Sequence, residues 1–354
     1  MTHVATRATE STSSGTRIVV GNFDGTATEW DAFVRRQDGA RHFHLLGWRR
    51  VIERVYGHEC VSLEARDADG LLAGVLTVAR VRSAMFGDFL VSMPFVDYGG
   101  PLGNDAAVRA LVDSARSMMG RRTLLELRSA ISLNIGVEAS HRKIAVVKTL
   151  AGSASDAWDG LRSQVRGAVR KAQKSGITVR FGADQTNEFF RLFALRMRDL
   201  GTPTHSLRYF ETIADEFPDS MWLACAYHQG AAVAGLCGFA FEDEVHLLHA
   251  AQLDSYRSMH PNMLLTWAFI ERAIDAGISR FNFGRSSPGT STHEFKRRWG
   301  GVDEALHWYD VGNGPVAKTP SPNDSAYALG PRLWKRLPYP VTTALGPHIV
   351  KYIP

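Results

Sequence analysis

FNFGRSSPGTSTHEFKRRWGG, residues Phe281–Gly301, is the stretch on which both the fold class and the chemistry of this chain turn. Phe281–Phe283 reads as a short strand and Gly284 as a turn. A Ser/Pro/Gly/Thr loop follows, and Ser291 or Thr292 caps a brief helix over His293–Trp299 that presents Phe295, Lys296 and Trp299. Such a loop gathers backbone N–H groups, Arg285 and Lys296, with Gly284 and Ser286 beside them, into a place that suits an oxyanion or a phosphate. Composition alone favours a plainer reading, a turn and an aromatic-anchored helix whose cations are solvated.

Working back from that stretch, a helical pattern over Ala157–Lys174 is followed by a strand at Ile177–Phe181 and helices at Asn187–Leu200 and Leu207–Glu216. Three strand-like runs come next, Met221–Tyr227, Ala231–Phe241 and Glu244–Ala251, separated by turn signals at His228–Gly230 and Glu242–Asp243. A helix over Asn262–Ala276 leads back to Phe281, and a strand at Ala305–Val311 closes the half. The first half has the same order. Its helices at Glu29–Gln37 and Leu45–Tyr56 precede strand runs Cys60–Ala65, Leu71–Val81 and Phe86–Val91, the loop DYGGPLGN, a helix over Asp105–Met119, and strands at Thr123–Leu127 and Ile144–Thr149. The recurring order predicts an α/β (α+β) protein of two similar halves, each a mixed, largely antiparallel sheet flanked by helices. The expected domains are 17–150 and 151–311, after a disordered leader over 1–16 and before a proline-rich basic tail over 312–354.

At 354 residues, 45% of them hydrophobic and 22% charged, the chain can bury two cores without staples. Three cysteines, Cys60, Cys225 and Cys237, form neither a disulfide framework nor a metal spacing, so no metal site is expected. No run is long enough to cross a bilayer, and the opening segment lacks the apolar stretch of a signal peptide. A cytoplasmic protein is expected. The net charge of +5 gathers in the tail, where Lys318, Arg332, Lys335, Arg336 and Lys351 outweigh Asp324, so global electrostatics argue weakly for nucleic acid. Neither a P-loop nor a dinucleotide fingerprint is present. Glu242–Glu244 reads as a solvated acidic turn, and His42, His44, His205, His246 and His249 as structural or exposed.

FNFGRS followed by EFKRRWGG resembles the closing signature of the FemAB/FemABX peptidyltransferases, which have a GNAT-like acyltransferase fold. Similar features run through WDAFVRRQDGARHFHLLGWRRVIERVYGHE, MPFVDYGGPL, RSQVRGAVRKAQKSGITVRFG and HPNMLLTWAFIERAIDAG. The ending LWKRLPYPVTTALGPHIVKYIP is similar to Fem-like proteins associated with PEP-CTERM/exosortase and exopolysaccharide systems. The resemblance implies tandem GNAT-like domains that transfer an acyl or aminoacyl group to an amine or hydroxyl of an envelope or exopolysaccharide precursor, nucleotide- or lipid-linked. It puts the Phe295–Lys296 pair at the reaction centre. There an ammonium can stabilise the negative charge that develops as an ester is aminolysed, with Arg285 supporting an anionic donor or acceptor and no cofactor beyond the donor. The helical arm that some Fem enzymes insert in the second half is absent here.

The donor is expected to be aminoacyl-tRNA rather than acyl-CoA, since an acyl-CoA enzyme needs a glycine-rich loop before the helix at Asn262 and this stretch reads YRSMHPNM. The row Arg162, Arg166, Arg170 and Lys174 offers an anionic partner a basic helix face, or is simply solvated. Arg166 and Arg170 are counted with the candidate binding residues, as is Trp299. In the loop Asp97–Gly103, Asp97 is a candidate general base and Tyr98 and Gly99 candidate acceptor contacts, although a plain turn explains them as well. A different class remains, a non-catalytic binding or scaffold protein whose tail touches a membrane surface through Trp334, Leu337, Tyr339, Ile349, Tyr352 and Ile353. On either reading, contact with the inner face of the membrane runs through the tail.

Overall fold

The computed structural model describes residues 10–11, 17–83, 87–312 and 329–353. The expected leader lies outside them except for Glu10–Ser11, as does the 313–328 part of the tail. In chain order the elements are β1 (Glu10–Ser11), β2 (Ile18–Asn22), α1 (Ala27–Arg35), α2 (Gly47–Tyr56), β3 (Glu59–Arg66), β4 (Leu72–Ser83), β5 (Gly87–Val91), β6 (Leu102–Gly103), α3 (Asp105–Ser117) and β7 (Thr123–Ser129). Then come β8 (Ile144–Thr149), α4 (Ala154–Asp159), α5 (Ser163–Lys174), β9 (Thr178–Phe181), α6 (Thr186–Leu200), α7 (Leu207–Glu216), β10 (Met221–His228), β11 (Ala231–Phe241), β12 (Glu244–Gln252) and α8 (Pro261–Asp275). The chain continues through β13 (Arg280–Ser286), α9 (Ser291–Arg298), β14 (Val302–Ala305), β15 (His307–Val311), α10 (Leu329–Trp334) and α11 (Tyr339–Val350).

Two compact units result, one of Met1–His141, Ala305–Pro320 and Lys351–Pro354, the other of Arg142–Glu304 and Ser321–Val350. The first unit's sheet runs β1-β2-β3-β4-β5-β7-β15, with β6 on β4. Its strands pair antiparallel except β5 with β7, which are parallel because α3 carries the chain across between them. Leu63, Leu76, Leu90, Leu111 and Leu125 fill its main core. Asn104 starts α3 by accepting the N–H of Ala107.

The second unit's sheet runs β14-β8-β13-β12-β11-β10-β9. It repeats the first: two helices, three antiparallel strands, a crossover helix (α8) and a parallel strand (β13). Both sheets are thus mixed, largely antiparallel and flanked by helices, as the recurring order predicts. Val165, Val169, Leu265, Phe269, Phe281, Phe283 and Trp299 lie in its core.

Three sequence-based boundaries change. Ile144–Thr149 was expected to close the first half, but β8 pairs antiparallel with β13 of the second sheet, while β15 returns to pair with β7 of the first. A short apolar run suits the edge of either sheet, and periodicity carries no pairing information. The helix expected over Ala157–Lys174 breaks at Gly160–Arg162 into α4 and α5. The tail, which shows no periodic segment, holds α10 and α11. Pro340 stands in the first turn of α11, where its missing N–H costs nothing.

Candidate active site

In the second unit β12 and β13 run parallel only from Glu244/Arg280 to His246/Asn282. Beyond that register β12 stays on β11, with a bulge beside Cys237/Gly238, and β13 continues on β8. The point of divergence is heavily cross-tied. Asn282 is fully buried; its amide donates to Glu244 Oε1 at 3.0 Å and accepts the N–H of Gly284 at 2.8 Å. Arg280 bridges Glu244 at 3.3 Å and Glu304 at 3.1 Å. Glu244 is therefore buried and paired, which corrects the solvated acidic turn expected there; only Glu242 and Asp243 are exposed. Burial opposes the charge on Arg280, but the two carboxylates win and raise its pKa.

β13 runs to Ser286, so Arg285 and Ser286 lie on a strand and not in a loop. Gly284 sits at φ +74° in the bulge, a conformation that favours glycine. Arg285 is exposed, whereas Ser286 is buried and its hydroxyl has no hydrogen-bond partner among the described residues. Thr290, not Ser291 or Thr292, caps α9 by accepting the N–H of His293. His293, which no sequence motif marked, clamps the turn: its Nδ1 accepts the N–H of Gly289 at 3.1 Å, which leaves Nε2–H to donate to Asp303 at 3.0 Å.

Lys296 points inward. It is 9% exposed, and its Nζ donates to the carbonyls of Gly284 at 2.8 Å and Arg285 at 2.7 Å. The ammonium is thus fixed where β13 leaves β12. Phe295, the neighbouring residue on α9, is half-buried and lines a cavity of about 340 Å³ together with Arg298 of α9, Gln164, Gly167 and Lys171 of α5, and His260 and Met263 at the start of α8. A Cβ on Gly167 would meet nothing within 4 Å, so this glycine keeps the α5 wall open. His260 adopts φ +58° and Pro261 occupies the first turn of α8. Burial, then Lys171, lowers the His260 pKa, which leaves Lys171 and Arg298 as the cavity's cations.

The remaining candidates are placed elsewhere. Trp299 is 1% exposed and packs against Phe283 in the core, where it anchors the end of α9. On α5, Arg166 reaches back to the Asp159 carbonyl at 2.8 Å and Arg170 lies over the Trp158 ring, so both brace the α4–α5 break. Asp97, Tyr98 and Gly99 belong to the first unit. Tyr98 is buried beside Phe43 with Arg41 over its ring, and a Cβ on Gly99 would lie 2.5 Å from that of Met93. Asp97 is half-buried. The cavity residues of α5 and α8 lie in stretches that the sequence marks as family-like, but nothing in either stretch signals that the two face one cavity.

Residues 160–297 match the family model described as an acetyltransferase (GNAT) domain. FemX, a solved structure, is 14% identical with a TM-score of 0.64, covering 82% of this chain and 97% of its own. The chain has the FemABX-like GNAT fold. Similar structures include the L-PGS from Bacillus licheniformis, 12% identical with a TM-score of 0.53 over 88% of this chain and 97% of its own. A conserved protein of unknown function from Bacteroides thetaiotaomicron is 12% identical with a TM-score of 0.56, covering 82% and 99%. No curated protein matches the sequence. The GNAT-type acyltransferase domain therefore holds the strand divergence, the buried lysine and most of the cavity wall.

Proposed function

We propose that this chain transfers an aminoacyl or acyl group to an amine or hydroxyl of a cell-envelope or exopolysaccharide precursor, with the α5/α8/α9 cavity as the donor site. The observation that carries this reading is the adjacent pair on α9: Phe295 lines a cavity bearing two cations, while Lys296 is held by two carbonyls at the end of β13. A donor with a phosphate and a flat ring suits those walls, the phosphate against Lys171 and Arg298 and the ring against Phe295 and Met263. As the acceptor attacks, negative charge develops on the carbonyl oxygen. The Lys296 ammonium, already oriented, stabilises that charge through its field without reorganising.

The start of α8 favours aminoacyl-tRNA over acyl-CoA. A pyrophosphate cradle needs successive backbone N–H groups, but here Pro261 has none and His260 takes the turn in place of glycine. Anion recognition falls to side chains instead, an arrangement suited to an RNA end. The test is transfer of label from a pool of aminoacyl-tRNAs, and separately from acyl-CoAs, to envelope precursors by the wild type and by a Lys171→Ala/Arg298→Ala variant. At least tenfold weaker use of aminoacyl-tRNA by the folded variant is expected. Equal transfer by both proteins removes the cavity as donor site. Tight donor binding without any transfer points to the non-catalytic reading.

A further inference from the structure

α11 leaves an apolar stripe uncovered. Thr342, Gly346 and Val350 are buried, and Gly346 lies so close to the backbone of Thr204 that a Cβ would come within 2.8 Å of its nitrogen. This face packs on α6. The neighbouring face carries Val341, Leu345 and Ile349 at intervals of four, 36%, 46% and 39% exposed, with Ala344 and His348 between them also exposed. In α10, Leu333 is 64% exposed. Single exposed apolar side chains are ordinary; three on successive turns of one helix form a stripe.

Along α10–α11 itself the charges are all of one sign, while Glu188 and Arg191 of α6 form an ion pair near Tyr339 at the start of α11. Arg332, Lys335 and Arg336 are exposed, Lys351 follows α11, and residues 329–353 contain neither Asp nor Glu. A second copy docked through the same stripe would bring like charges together, which disfavours self-pairing. An anionic lipid surface meets both features, with Leu345 and Ile349 at the level of the acyl chains and the cations among the headgroups. No helix among the described residues is long and apolar enough to cross a membrane, so the contact is peripheral. We propose that α10–α11 is an interfacial anchor that holds this protein on an anionic membrane. The inference is independent of the donor and acceptor proposed above.

Co-sedimentation of the full chain with vesicles of pure phosphatidylcholine and of phosphatidylcholine with 30 mol% phosphatidylglycerol tests this. Binding at least tenfold stronger to the anionic vesicles, lost at 500 mM salt, is expected. Lys335→Gln/Arg336→Gln should weaken it about thirtyfold, at roughly a factor of five or more per charge. Leu345→Ser/Ile349→Ser should weaken it about tenfold or more while circular dichroism and melting temperature stay unchanged. Wild-type binding by either variant, or equal binding to both vesicles, overturns the anchor. So does a protein dimer that persists on vesicles and is broken by Leu345→Ser.

Discussion

Replacing Lys296 separates its structural role from its proposed chemical one. Lys296→Met keeps most of the side-chain volume but removes the two donors that satisfy the Gly284 and Arg285 carbonyls. Hydrogen bonds to a charged group contribute roughly 1.5–3 kcal/mol each, and relief from burying the ammonium offsets part of the loss. A net destabilisation of about 2–4 kcal/mol follows. Lys296→Ala adds a void beneath α9 and raises the cost to about 4 kcal/mol or more. Urea unfolding followed by tryptophan fluorescence reads this directly. A loss below about 1 kcal/mol for Lys296→Met refutes the idea that this lysine pins the end of β13. Transfer must then be measured under conditions where the variant is folded. If the lysine is purely structural, activity follows the folded fraction; if its charge also acts on the reacting carbonyl, kcat falls a further ~10²- to 10³-fold with KM little changed.

Gly167→Ala should raise stability by about 1 kcal/mol, because the glycine is inside α5 and the added methyl meets nothing within 4 Å. Gly167→Phe at the same position should fill the donor cavity and abolish transfer, and a Phe variant as active as Ala would show that the cavity is not used. Acid should weaken the first unit through His44. His44 is buried with Nδ1 accepting the Arg41 N–H, and burial lowers its pKa from 6.5 to about 4. The unfolded chain therefore takes up a proton that the folded chain refuses. The neutral ring's contribution is present above pH 6.5 and is lost as pH falls towards 4, about 2 kcal/mol of it by pH 5. Denaturation midpoints at pH 7, 6 and 5 measure this, and His44→Gln should remove about one proton from the slope.

The repeat was legible because turns leave local marks: Asp67–Gly70 and His228–Gly230 separate apolar runs whose alternation does not depend on distant partners. The Phe295–Lys296 pair was legible from composition as a helix with a cation, and the resemblance to Fem transferases alone pointed to it as a reaction centre. Its inward partner is a pair of backbone carbonyls, and every residue has one, so no side-chain pattern points to them. Glu244 was misread for a related reason, since Arg280 and Asn282 reach it through the parallel register of β12 and β13. The cavity draws on Gln164–Lys171, His260–Met263 and Phe295–Arg298, three stretches joined only by helix packing. Trp299 shows the opposite case: an aromatic beside two glycines invites a binding role, and the fold uses it as core.

The two units share a topology but treat the end of their parallel strand pair differently, and that difference argues for chemistry in the second. In the first unit the pairing of β5 with β7 ends at Val91/Glu126, and the next residue, Ser92, already bonds the Glu126 carbonyl. The loop from Ser92 to Gly100 is then stitched along β7. Arg128 donates its backbone N–H to Ser92 Oγ and its side chain to the Val96 carbonyl, and its own carbonyl accepts the N–H of Gly100. The guanidinium is buried against Glu126, a pair whose loss on either side would leave a charge stranded. Met93 and Phe95 hold positive φ angles to make this path, strain that the stitching sustains. The divergence is thus occupied by the unit's own backbone around a neutralised ion pair. In the second unit the corresponding point holds an ammonium beside two carbonyls, and Phe295 and Arg298 of the same helix line a cation-bearing cavity. Under the transfer proposed above, negative charge that develops at this point meets the field of the Lys296 ammonium.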